Sequence, residues 1–511
     1  MNKTMLYTMM AVALVATTAC NNDNYIEPTK NWDDSTKYFA STEVAAFGTY
    51  FAPSVGYVGD PMPMYDSKTG EYKIYYLWDY RGKRNYDECY HPIHMVTTKD
   101  GYNFGDEMEV LPTGGQKDQD AAIGTGCVVE RNGVYYCYYT GHAGDGSEAV
   151  MRATSTDGIH WSKDNAFRIY GEDYGYDKKD FRDPQIFQTE DETYHMIIAT
   201  RQWGKGTIVE CTSKDLVTWT NPTFFMNMQW DRFYECPDVF KMGNYWYLVY
   251  NDKTQFMRMP QYFKGTSLED LKNCTLNDAG RWPDNYREGK LDGKGIYAVK
   301  TVTNGKERLA FGWCPTRAGK DTGNVPTESE WAGNLVCHKI VQNADGTLAF
   351  APATTDKYTK TKEAKIIGPK GAGYDIKEGD HTMFSRLMYH NLLTFDIKLS
   401  DPKGRFSIDF ARGTDSEVWY SVQVNADENK ANLEKKAKKA EEAKWLLDSQ
   451  FKQPEDGIYH VTVCTDQSVC VVYINNELSF TNRIYNLQMN PWSITAVKGD
   501  LKIENLTFKW Y

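Results

Sequence analysis

The chain has 511 residues, 41% of them hydrophobic and 14% aromatic, with 36 Tyr, 14 Trp and a formal net charge of −11. That length exceeds one ordinary core, so two or more domains are expected, and the aromatic load favours strands and can stack on sugar faces. The acidic balance argues against nucleic acid or an anionic membrane surface as partner and suits a neutral substrate.

The N-terminus reads as an export signal over residues 1–20: Lys3, an apolar stretch over 5–16, then Thr17-Thr18-Ala19-Cys20. Cys20, followed by Asn21-Asn22-Asp23-Asn24, resembles a bacterial lipoprotein signal. The expectation is a lipidated Cys20 holding an exported protein at the outer membrane, periplasmic or surface face; the alternative is a plain secretory signal cut nearby. No later stretch approaches the ~20 apolar residues of a membrane span, so attachment would be through lipid alone. Residues 21–39 read as a linker. The ten other cysteines are scattered, with no CxxC or Cys/His metal spacing. They are expected to be buried thiols, and no metal site is predicted.

Residues 40–352 carry an internal repeat. Aromatic strand patterns recur at 72–78 (YKIYYLW), 134–140 (VYYCYYT), 193–199 (TYHMIIA), 245–250 (YWYLVY) and 308–313 (RLAFGW). Their starts lie roughly 50 to 65 residues apart, the scale of a four-stranded propeller blade with long loops. A turn with a following aromatic recurs in phase: Asp100-Gly101 with Phe104, Asp157-Gly158 with Trp161, and Asp215-Leu216 with Trp219. The prediction is an all-β protein, a five-bladed β-propeller followed by a β-sandwich. Residues 353–390 read as a linker and the start of the second domain, the Lys/Thr-rich 354–365 being the linker. The sandwich spans 391–511, with alternating strands from near Leu392. Its Lys/Glu/Ala-rich segment near 429–447 reads as a charged helical insertion.

An apolar segment precedes each aromatic pattern and is expected to be the innermost strand of its blade. Asp60, Asp183 and Glu235 fall at similar places in the first, third and fourth of these. Innermost strands converge on the propeller axis, so the three carboxylates are predicted to meet at one end of the channel. Such a cluster suits glycosidic cleavage, in which one acid protonates the departing oxygen and an ionised carboxylate attacks carbon or activates water. Repulsion between them keeps the donor protonated. Thr125 and Trp78 are pocket candidates by position.

These residues resemble glycoside hydrolase family 32, the β-fructofuranosidases that include invertases, inulinases and levanases. Phe181-Arg182-Asp183-Pro184 matches its Arg-Asp-Pro box, Glu235-Cys236-Pro237-Asp238 its Glu-Cys-Pro box, and Gly59-Asp60-Pro61 the core of its Asn-Asp-Pro box. Tyr297-Ala298-Val299-Lys300-Thr301 is similar to its Tyr-Ala-Ser-Lys-Thr segment, Phe311-Gly312-Trp313 to its Trp-Gly-Trp, and residues 464–471 to a strand of its C-terminal sandwich. The resemblance implies a retaining enzyme without cofactor, acting on an oligo- or polysaccharide. Asp60 would be the nucleophile, Glu235 the general acid/base and Asp183 the stabiliser of the transition state, with Arg182 tuning the carboxylates. Tyr57, Tyr297, Lys300 and Trp313 would join the sugar pocket. The chain departs from the family where Tyr57-Val58-Gly59-Asp60-Pro61-Met62-Pro63 replaces Trp-Met-Asn-Asp-Pro-Asn-Gly, losing both asparagines, and where Leu77 replaces a glutamine. Two other readings compete: an inverting arabinofuranosidase or xylosidase of the related family 43 type, and a non-catalytic glycan-binding surface lipoprotein. His94, His142 and His195 form no catalytic or metal pattern; His142 reads as a surface-turn residue, the alternative being a loop near the channel mouth.

Overall fold

Each of the five aromatic patterns forms the second strand of a four-stranded antiparallel sheet. The computed structural model describes residues 47–511 except 80–88, 228–231, 254–258, 275–287, 318–328, 354–356, 368–372, 441–443 and 476. Cys20, with the rest of the predicted signal and linker, lies outside the described residues. Blade I comprises Tyr57–Asp66, Glu71–Asp79, Ile93–Thr98 and Met108–Leu111; blade II comprises Ala122–Arg131, Val134–His142, Glu148–Ser155 and Ser162–Tyr170. Blade III comprises Phe181–Gln188, Tyr194–Gln202, Lys205–Ser213 and Thr223–Asn227; blade IV comprises Tyr234–Met242, Tyr245–Asp252, Pro260–Gly265 and Glu288–Lys290. Blade V comprises Tyr297–Thr303, Arg308–Arg317, Ser329–Gln342 and Leu348–Ala351. In every blade the chain enters on the innermost strand and works outward. The innermost strands neighbour one another in order around the axis, and a bridge between Val58 and Gly333 joins blade I to blade V.

The recurring turns hold adjacent blades together. Asp100, Asp157 and Asp215 each accept two backbone N–H bonds at 2.7–2.8 Å, from Tyr102 and Asn103, Ile159 and His160, and Val217 and Thr218. The self-capped turn closes without help from the sheet. Its carbonyl then faces the preceding blade. At the second and third of these turns, Tyr75 of blade I donates to Gly158 O at 2.7 Å and Tyr138 of blade II to Leu216 O; a separate turn of blade V accepts from Tyr247 of blade IV at Gly346 O, 2.7 Å. Leu216 adopts φ 63° where the other two turns use glycine.

The second domain packs two sheets face to face. One runs, in spatial order, Lys360–Thr361, Leu501–Trp510, His390–Leu399, Ile458–Asp466, Val469–Ile474, Leu478–Arg483, with Asp375–Ile376 also on Leu501–Trp510. The other runs Ile366–Ile367, His381–Phe384, Trp492–Lys498, Arg405–Phe410, Val418–Asn425, Lys430–Ala437, Lys444–Gln450. Alternation decides which side chains face the core: along His390–Leu399, Leu393, Phe395 and Ile397 are buried, with the less buried Thr394 and Asp396 between them.

Two expectations are corrected here. The Lys/Glu/Ala-rich segment is a hairpin, not a helix: Lys430–Ala437 pairs with Val418–Asn425 and with Lys444–Gln450. Ala431 and Leu433, two residues apart, are fully buried opposite Val424 and Val422, so tertiary pairing overrides a composition that favours helix. The stretch read as a linker already belongs to the sandwich, since Lys360 and Thr361 pair with Trp510 and Lys509.

Propeller and sandwich share one core, in which Tyr50, Leu335 and Phe350 pack with Val469, Val471 and Tyr473. Asp466 accepts backbone N–H groups of Gly48, Thr49 and Tyr50 at 2.6–2.9 Å. Buried Arg483 donates to Cys314 O, Pro315 O and Asn334 Oδ1 in blade V at 2.6–3.2 Å, and to Ser468 at 2.9 Å. Replacing Arg483 by Met removes this cross-domain set and leaves its acceptors buried. Thermal unfolding should show a loss of about 3 kcal/mol or more, and an unchanged melting temperature would refute the role.

Candidate active site

All five innermost strands carry the same irregularity near their start, two residues facing one on the second strand. Gly59 and Asp60 face Leu77; Thr125 and Gly126 face Tyr139; Asp183 and Pro184 face Ile198; Cys236 and Pro237 face Tyr250; Ala298 and Val299 face Gly312. Such a bulge re-aims side chains and leaves ladder groups unpaired. Asp183, Cys236 and Ala298 hold equivalent places in it with φ 60°, 51° and 54°.

The register refines the predicted equivalence of the carboxylates. Glu235 immediately precedes its bulge, Asp183 is the first residue of its own, and Asp60 the second. Three different register positions therefore bring three carboxyl groups in from different directions. Neighbouring blades satisfy the freed amides: Asp183 N donates to Thr140 Oγ1 at 2.9 Å, Cys236 N to Asp183 Oδ2 at 2.7 Å, and Val299 N to Asn251 Oδ1 at 3.1 Å. At the second-strand position equivalent to Thr140 and Asn251, Trp313 donates Nε1–H to Asp60 Oδ1 at 2.8 Å.

Arg182, Glu235 and Tyr297 occupy one equivalent position in three successive blades and form a bonded row. Arg182 Nε and Nη2 lie 3.3 and 3.2 Å from Glu235 Oε1, and Tyr297 Oη donates to Oε2 at 2.5 Å. Arg182 is itself held by Glu148 at 2.6 Å and Asp180 at 2.7 Å, and lies 4.4 Å from the Phe233 ring centroid. Burial alone would raise the Glu148 carboxyl, but Arg182 and His142 hold it below its ordinary value. Asp60 is half-buried, and burial followed by the charge of Asp183 pushes its pKa up to about 7 despite the Trp313 hydrogen bond. Asp183 is raised too, by burial and then by Glu235, against the pull of Arg182 and Lys300.

The structure thus brings Asp60, Asp183, Glu235, Arg182, Tyr297 and Trp313 together. Thr125 stands beside Asp60 and lowers its pKa, though no hydrogen bond of regular geometry joins them. Tyr57 is half-buried at the head of the Asp60 strand. One pocket expectation is corrected. Lys300 is 1% exposed and donates to Gly126 O at 2.6 Å and Gln185 Oε1 at 3.3 Å, so it is a buried cation within the propeller and not a sugar contact. The Trp78 ring stacks on His94 at 5.1 Å and its Nε1 donates to Val55 O at 2.8 Å. His142 is no surface-turn residue: it ends the second strand of blade II, 3.3 Å from Glu148. Sequence reasoning missed Glu148, Asp180, Lys253 (3.5 Å from Glu235) and Trp331. Asp180 directly precedes the Phe181-Arg182-Asp183-Pro184 box and could have been found there; the others stand in no motif, and only the fold brings them near.

Residues 50–352 match the model of the glycosyl hydrolases family 32 N-terminal domain, and residues 345–507 match that of the GH32, BT1760-like, C-terminal domain. The chain belongs to glycoside hydrolase family 32. Sucrose-6-phosphate hydrolase of Escherichia coli is 25% identical over 329 residues, 59% of this chain and 63% of that protein; raffinose invertase of the same organism is 26% identical over 331. The chain thus spans 63% of the length of these relatives. In fold it is similar to exo-inulinase of Aspergillus awamori (TM-score 0.69, 14% identity, 91% of this chain and 98% of that one). It is also similar to fructan 1-exohydrolase IIa of Cichorium intybus (TM-score 0.67, 15% identity, 91% and 96%).

Against that family, the altered Asp60 box has a structural cause. A Cβ on Gly59 would lie 2.2 Å from the Trp331 ring and 2.8 Å from Leu77 O. The indole, stacked on His91 at 4.3 Å and 5.8 Å from Trp313, fills the space an asparagine side chain would need.

The raised Asp60 pKa has a consequence for stability. Between its unfolded value near 4 and its folded value of about 7, the unfolded chain ionises Asp60 while the fold retains the proton, so stability falls as pH rises through that window. Asp60→Asn removes this loss. Its melting temperature should match wild type near pH 4 and exceed it by about 2 °C or more at pH 8; a gain independent of pH would refute the assignment.

Proposed function

We propose that this family 32 chain hydrolyses β-fructofuranosidic linkages of sucrose-type sugars or fructans by double displacement with retention. The observation that carries this reading is the convergence of three carboxyl groups from three bulges, with Glu235 held between Arg182 and Tyr297 and Asp60 bonded to Trp313. In the first step Glu235 gives its proton to the departing glycosidic oxygen while a carboxylate oxygen of ionised Asp60 bonds to the anomeric carbon. In the second, Glu235 takes a proton from water, the water oxygen bonds to that carbon, and the bond to Asp60 breaks. Asp183, anchored by the Cys236 amide, accepts sugar hydroxyls and opposes the positive charge that develops on the ring. The names of relatives and structural neighbours, sucrose-6-phosphate hydrolase and exo-inulinase among them, support fructose as the glycone.

Incubation with sucrose, inulin and levan should release fructose, and Glu235→Gln should lower kcat on the order of 10²–10⁴-fold. With methanol as acceptor, retention yields the β-methyl fructoside. The α product would refute double displacement, and no fructose from any of the three would refute the glycone.

We further propose lipidation at Cys20 and display at the bacterial outer membrane. Lys3, the apolar 5–16 stretch and the small residues before Cys20 support this. Cys20→Ala should move the protein from the membrane to the soluble fraction on cell fractionation. Unchanged membrane association would refute the anchor.

A further inference from the structure

Trp203 is 89% exposed, the most exposed large apolar side chain among the described residues. It occupies the tip of the hairpin joining the second and third strands of blade III, between Gln202 and Lys205, with φ 50° at Trp203 and 77° at Gly204. A two-residue turn with both central φ positive favours Asn-Gly, and a bulky residue in that region is strained. The fold recovers nothing by burying the ring, so neither packing nor turn geometry accounts for a tryptophan here.

The hairpin tip lies on the active-site end of the propeller. Thr200 pairs with Phe181 and Ala199 with Arg182. Four further residues at ~3.3 Å each place Trp203 about 13 Å beyond Arg182 along the strand. The tip is also tied to the catalytic centre. Asp180 binds Arg182 at 2.7 Å through one oxygen and Arg201 Nε at 2.8 Å through the other, and Arg201 donates to Gly204 O at 3.1 Å. Beside it, the loop leading into blade III donates Asp177 N to Arg201 O at 3.0 Å and carries Tyr174, 39% exposed. Tyr176 of the same loop meets Phe224, 49% exposed, at 6.1 Å. A rigid indole offers a flat face to a sugar ring at low entropic cost.

We propose that Trp203 is a stacking platform for a furanose unit of a fructan chain distant from the bond being cleaved, so that the enzyme favours polymer over short sugars. This rests on the fructosidase reading. In Trp203→Ala, KM for levan or inulin should rise roughly 5–20-fold, the scale of one lost stacking contact, with kcat/KM for sucrose unchanged and Trp203→Phe restoring most of the polymer affinity. Wild-type turnover of a fructan with no change in Trp203→Ala, or an equal loss on sucrose and polymer, overturns the inference and leaves the activity standing. A change in oligomeric state by light scattering, with polymer KM unaltered, likewise overturns it in favour of a contact between copies. Gel retardation by soluble fructan in the Glu235→Gln background reads binding without turnover. Retardation lost on adding Trp203→Ala supports the platform even if the hydrolytic reading fails, and no retardation by levan or inulin overturns it.

Discussion

One extra residue near the start of each innermost strand is the constraint on which the site depends. A regular ladder would send successive side chains alternately to the two faces of a blade, with none aimed along the axis. The bulge breaks that alternation at the same height in five blades, and the carboxylates use three successive register positions of it. The amides it frees must find acceptors. Those acceptors are side chains of the preceding blade, so the device that aims the three carboxyl groups also links blade to blade. Asp183 does both at once, accepting the Cys236 amide beside Glu235 while facing the other two acids.

Charge is arranged around this geometry with unequal results. Glu235 has cations and a phenol on its oxygens, whereas Asp60 has an indole N–H and two like-charged neighbours. Burial and like charge favour the protonated form of Asp60, so the first displacement step draws on its ionised fraction, which grows as pH rises through about 7. Arg182 is the hub: it touches Glu148, Asp180 and Glu235, and Asp180 carries the network outward to Arg201 and the Trp203 hairpin. An acidic cleft of this kind is a stability loss that the rest of the fold must offset.

The sandwich supplies part of that support. Its hairpin joining Ile458–Asp466 to Val469–Ile474 faces the propeller, and Asp466 orders the segment at 48–50 while Arg483 bonds blade V near the third-strand segment that carries Trp331. His338, buried between Tyr473 and Phe350, is kept neutral by that burial, its pKa falling to about 3. The two domains therefore behave as one packed body around the shared core.

The five-fold repeat, the aromatic second strands, the Asp-capped turns and the three acids are legible in the chain alone, because each is written in local pattern: period-two burial, a turn residue at a set offset, a short motif. So is the absence of Asn beside Asp60. Only the tertiary structure decided why, since Trp331 comes from a strand more than 250 residues away to occupy that space. The same holds for Lys300, whose motif pointed to the pocket but whose ammonium is closed in by Gly126 and Gln185, and for Trp78, at the register position of Trp313 yet stacked on His94. Lys430–Ala437 carries a composition suited to a helix and becomes a strand because a partner edge and an apolar core are present. Local pattern specifies which elements form; the direction of a side chain at a bulge, and whether its neighbours leave room for solvent, depend on residues distant in the chain.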